Sequence, residues 1–153
     1  MQARLEPARA APAAIKAMRA LSAYVQDCGL EPSLQELVKI RASQINGCAF
    51  CLHMHTRDAR ALGETEERIY LLDAWRESPL YTTRERAALA WTEALTLVTH
   101  GHVPDAVYEE VRGCFTDEEL VNLSLAIVTI NGWNRLSVAF RTPPAVSAKA
   151  RAA

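Results

Sequence analysis

The sequence predicts an all-α fold of about seven helices, on three observations. Apolar residues recur at the three- and four-residue spacing of a helix face almost throughout. No stretch of five or more residues alternates apolar and polar in the manner of a half-buried strand. Glycines, prolines and capping residues punctuate the chain at helix-length intervals.

The first helix is predicted from about Pro12 to Cys28, closed by Gly29. A second starts near Pro32 and Ser33, carries Leu34, Leu37, Val38 and Ile45 as its apolar stripe, and is broken by Asn46 and Gly47. A third runs from about Cys48 to Gly63, because Gly47 supplies the permissive backbone of a turn and the next glycine lies sixteen residues on. The fourth, from about Glu64 to Glu77, has Ile69, Leu72 and Trp75 on one side and stops before Pro79. Thr82 with Glu85 forms a capping-box pattern for a fifth helix reaching about Thr99, and Pro104 with Asp105 opens a short sixth. Thr116 with Glu119 repeats the capping signature for the last helix, about Asp117 to Arg141, which Pro143 and Pro144 end. That helix is nearly apolar through its middle, so it should be buried or used for self-association. Residues 1–11 and 145–153 have little to bury and are expected to be loose or to wrap a partner subunit.

A chain of 153 residues suits one domain with one core and needs no staple to fold. Its net charge is -1, with basic residues scattered among acids, which favours neither nucleic acid nor an acidic membrane surface as a partner. The most apolar run, Leu123 to Ile130, falls far short of the roughly 20 residues of a membrane span. The N-terminal stretch lacks the apolar run of a secretory signal, so a cytoplasmic location is expected. In that reducing setting a cysteine with a special role is expected to be catalytic or metal-binding rather than a structural bridge.

Two cysteines and two histidines crowd between Cys48 and His55. Each helical residue turns about 100°, so Cys48, Cys51 and His55 share one face while His53 points elsewhere. Cα atoms at i and i+3 stand about 5 to 6 Å apart, inside the disulfide window, so the pair can bridge and open without backbone movement. The helix N-terminus favours a thiolate at Cys48. Cys51, deeper in the helix, needs a base, and His55 is the nearest. A carboxylate would steady that imidazole, and Glu36 is the candidate, since an antiparallel second helix returns it to the neighbourhood of His55.

Other readings use the same residues. The thiols could be ordinary buried side chains, or Cys48, Cys51 and His55 could hold zinc with Glu36 or His53 as fourth donor. Against zinc, Cys48 and His55 stand two turns, roughly 10 Å, apart along the axis. Covalent haem attachment fails because Leu52, not histidine, follows the second cysteine. Cys28 and Cys114 read as small buried hydrophobes, His100 and His102 as surface or capping residues, and Trp75, Trp91 and Trp133 as core or subunit interface. Arg135 needs a carboxylate or carbonyl partner.

Glu36, eleven residues, Cys48-Ala49-Phe50-Cys51, three residues and His55 together resemble the motif of the alkylhydroperoxidase D (AhpD-like) group within the carboxymuconolactone decarboxylase family. The stretch INGWNRLSVAFRTPP, from Ile130 to Pro144, also looks like members of that family. The resemblance covers about residues 30 to 144. It implies an AhpD-like multi-helical domain over 1–153, assembled as trimers or hexamers. It also implies a peroxidase in which Cys48 and Cys51 cycle between dithiol and disulfide, with Cys51 attacking and Glu36 and His55 relaying protons. The implied partners are a hydroperoxide substrate and an external thiol or dithiol reductant, with no cofactor and no metal. Well-known peroxidase members have histidine immediately before the second cysteine, where this chain has Phe50. The apolar Phe50, Leu52 and Met54 lean toward an organic peroxide. Two alternatives remain: a decarboxylase-like lyase using His55 and Glu36 as acid and base, and a zinc-stabilised helical interaction module. The decarboxylase branch generally lacks the CxxC pair, so its presence here points to redox chemistry.

Overall fold

The computed structural model describes residues 2–145 and is all-helical over them. The helices are α1 (Pro7–Ala10), α2 (Pro12–Gln26), α3 (Pro32–Asn46), α4 (Ala49–Ala61), α5 (Glu66–Leu71), α6 (Thr83–Thr96), α7 (Asp105–Arg112) and α8 (Asp117–Phe140), with a 3₁₀ turn at Leu72–Ala74. Central α3 carries α4, α6 and α8 against it, and α2 lies along α8. Both predicted capping boxes are formed: Thr82 and Thr116 accept the N–H groups of Glu85 and Glu119, whose carboxylates return to the cap N–H groups.

Three differences from the sequence reading exceed the one or two residues by which other helix ends shift. The predicted fourth helix is interrupted, passing from α5 into the 3₁₀ turn and ending at Ala74 rather than Glu77. Just beyond it Pro79 has no N–H for the Trp75 carbonyl, and the Arg86 guanidinium donates to the carbonyl oxygens of Trp75, Arg76 and Ser78 instead. The fifth ends at Thr96, short of Thr99. Residues 7–10 of the N-terminal segment form one helical turn, an eighth helix. That segment is tied down: the Arg4 N–H donates to the Phe140 carbonyl at 2.9 Å, and its guanidinium to that of Ala139 at 3.1 Å. Residues 146–153 of the C-terminal tail lie outside the described residues.

The larger apolar cluster gathers Leu34 and Val38 of α3, Ala87 and Trp91 of α6, Val111 of α7, and Leu120, Leu123 and Ile127 of α8. A second joins Leu37 and Ile40 to Ala59, Leu72, Trp75 and Leu89. Cys28 and Cys114 are half-buried against the first. His100 and His102 are exposed in the loop between α6 and α7. Arg135 bonds to the backbone and side-chain oxygens of Asn131, one turn back on α8.

Helix α8 is buried along one face, as its apolar middle predicted, and exposed along another. Leu120, Leu123, Ala126, Ile127 and Ile130 point into the core, while Val121, Val128 and Val138 are exposed. Amides fasten α8 to the end of α3: Asn46 donates to the side-chain oxygens of Asn131 and Asn134, both at 2.9 Å, and Asn134 donates to Ser43 at 3.0 Å. Buried amides are costly unless paired, so these bonds set how the α3–α4 turn meets α8.

Candidate redox site

The site is built at the turn between α3 and α4. Gly47 takes φ 64°, a left-handed conformation that costs a side-chain-bearing residue strain, and so closes α3 and redirects the chain. Cys48 then stands at the N-cap of α4, where its sulfur accepts the Cys51 N–H at 3.3 Å. Cys48 and Cys51 are joined as a disulfide with Cα atoms 5.4 Å apart, the separation expected from i and i+3. Both are almost fully buried, packed with Ala42 and Ile130 and flanked by Phe50 and Trp133.

One turn on, His55 is buried and its Nδ1 lies 2.8 Å from Glu36 Oε2. The antiparallel return of α3 that the sequence suggested brings these residues together. The other Glu36 oxygen accepts Lys39 Nζ at 2.8 Å. Burial pushes the Glu36 carboxyl up, but the His55 hydrogen bond, the His55 charge and the Lys39 ion pair together outweigh it and hold the group below its ordinary value. Glu36 is therefore a carboxylate at neutral pH, able to orient the imidazole and stabilise its charged form.

Cys51 and His55 open onto a cavity of about 360 Å³ between α2, α3, α4 and α8, at the small end of the roughly 300–1,000 Å³ typical of ligand pockets. Val25, Phe50, Met54, Ile130 and Trp133 supply its apolar walls. Neither Cys48 nor His53 lines it. All four predicted site residues thus converge, but only Cys51 and His55 face the open space.

In this structure the two sulfurs of the zinc donor set are bonded to each other. Among the described residues, Glu36, His55 and Asp58 bring ligand atoms within 4.8 Å of one another. Asp58 was missed in the sequence, although its place three residues after His55 puts it on the same helix face. Lys39 was legible in the same way from Glu36. The contributions of α2, Arg19 and Ser22 among them, had no local signal.

The model of the carboxymuconolactone decarboxylase family matches residues 9–94. The uncharacterised protein YdfG of Bacillus subtilis (strain 168) is 47% identical over 129 residues, 84% of this chain and 88% of that protein. Among solved structures, ATU0492 of Agrobacterium tumefaciens superposes with a TM-score of 0.93 at 46% identity, over 95% of this chain and 100% of that one. ATU0492 is of unknown function and provisionally assigned as the antioxidant defence protein AhpD. An uncharacterised peroxidase-related protein of Ralstonia eutropha JMP134 with an AhpD core shares the fold, with a TM-score of 0.78 at 20% identity, over 90% of this chain and 73% of that one.

Proposed function

The chain belongs to the carboxymuconolactone decarboxylase family, among its AhpD-like members, and from that premise we propose that it is a thiol peroxidase reducing organic hydroperoxides. The observation that carries this reading is that Cys51 and the Glu36-paired His55 both line one apolar cavity, with Cys48 in bonding contact behind.

In the reduced protein His55 accepts the Cys51 thiol proton, and Glu36 stabilises the resulting imidazolium. The Cys51 thiolate attacks the terminal oxygen of ROOH; the O–O bond breaks, sulfur is oxidised to sulfenic acid, and the alkoxide leaves as alcohol with the proton from His55. The Cys48 thiol then displaces hydroxide from that sulfenic acid, giving water and the disulfide. An external dithiol restores the pair and becomes a disulfide itself. Attack on Cys51 from the cavity would expel Cys48, whose thiolate the helix N-terminus and the Cys51 N–H stabilise, and a stabilised thiolate leaves faster. Phe50, in place of the histidine of other members, makes the wall beside Cys51 apolar, which suits an alkyl group.

The test is peroxide consumption with a dithiol donor, combined with trapping of sulfenic acid. Cys51→Ser should lose both. Cys48→Ser should lose turnover yet accumulate about one sulfenate per chain. Sulfenate in Cys51→Ser but not in Cys48→Ser would reverse the assignment of attacker. Lactone turnover that survives loss of both thiols would replace peroxidase with lyase chemistry.

A further inference from the structure

The cavity carries a charge pattern that a neutral peroxide leaves unused. None of its lining residues is Asp or Glu, whereas Arg19 and Lys39 both border it. The Lys39 charge is met by Glu36 at 2.8 Å. Arg19, exposed on α2, has no ion pair or side-chain hydrogen bond among the described residues. An uncompensated cation at the rim of a low-dielectric cleft focuses its field into the opening and draws anions there.

Two hydroxyls of the walls are already committed. Ser22 donates to the Met18 carbonyl at 3.0 Å and accepts the Trp133 indole N–H at 2.8 Å. Thr129 donates to the Leu125 carbonyl at 2.7 Å. With Lys39 already paired to Glu36, the cation of the lining left to meet a charged head group is the Arg19 guanidinium, whose planar fork matches a carboxylate.

We propose that this cavity takes carboxylate-bearing amphipathic molecules, with the apolar body on Phe50, Met54, Ile130 and Trp133, and the carboxylate at Arg19. That the reacting end is a hydroperoxide directed at Cys51 rests on the peroxidase reading; the carboxylate rests on the cavity alone.

Two measurements separate these parts. Calorimetric titration compares octanoate with octan-1-ol on the wild type, Arg19→Gln and Arg19→Lys. Octanoate should bind about fivefold tighter than the alcohol, with the advantage lost in Arg19→Gln, regained in Arg19→Lys and weakened by added salt. Steady-state kinetics compare ω-hydroperoxyoctanoic acid with its methyl ester. The acid should show the higher kcat/KM, through KM, and the acid-to-ester ratio should fall toward one in Arg19→Gln. Octanoate binding no tighter than the alcohol, or indifferent to Arg19, overturns the carboxylate site. Equal turnover of acid and ester, unchanged in Arg19→Gln, overturns it as well while the peroxidase reading stands. Consumption of neither peroxide, with Arg19-dependent octanoate binding, overturns the peroxidase reading while the carboxylate site stands.

Discussion

Glu36 and His55 are nineteen residues apart in the chain and 2.8 Å apart in space, and the proposed chemistry depends on that contact. His55→Gln removes the base for Cys51 and should lower kcat/KM for peroxide on the order of 10²-fold, read from initial rates with a dithiol donor. Lys39→Met removes one of the groups holding the Glu36 carboxyl down, so carboxyl titration by NMR should show the Glu36 pKa move upward from its depressed wild-type position. At this scale the sequence was informative wherever residues share a helix. Cys48, Cys51 and His55 could be placed on one face from spacing alone, and Asp58 belongs to the same face. Glu36 needed one step of topology, the antiparallel return of α3. Arg19 could not be found, because α2 reaches the cavity through its packing along α8, which no local spacing shows.

Local backbone requirements decide the elements, and these were largely readable. The two Thr–Glu capping boxes and the glycine turn at Gly47 sit where the residues demanded them. Gly47→Ala places a Cβ in a left-handed conformation with open space around it, so the penalty is strain alone, about 1 kcal/mol, visible as a lower denaturant midpoint. Thr116→Ala removes the cap of α8 and should cost about 1 kcal/mol, or roughly 2–4 °C in Tm for a chain of this size. The interrupted fourth helix was not readable. Its apolar spacing continues through Trp75, and the Arg86 guanidinium that holds the carbonyls just beyond its end comes from α6, which local periodicity does not see.

The whole molecule is clamped by carboxylates placed between helices. Glu93 of α6 accepts from Trp75 at 2.8 Å and from Arg41 of α3 at 2.9 Å, and it also pairs with Arg76; Glu85 pairs with Arg68 of α5. Burial raises both carboxyls, but these hydrogen bonds and charges more than reverse it, so both, like Glu36, lie below their ordinary value of 4.5. A depressed carboxyl contributes stability that is fully present above its unfolded value and lost as pH falls through the folded one. The urea midpoint should therefore hold from neutrality to about pH 5 and drop toward about pH 3, a decline that Glu93→Gln should make shallower. What the sequence determined by itself is what hydrogen bonding between residues four apart determines: helices, their caps, and the common face of Cys48, Cys51 and His55. Only the tertiary structure decided which faces meet, namely the Glu36–His55 contact, the cavity closed by α2 and α8, and the place of Cys51 rather than Cys48 in its wall. Those depend on burying apolar area between segments as far apart as Arg19 and Trp133, and no local spacing encodes that choice.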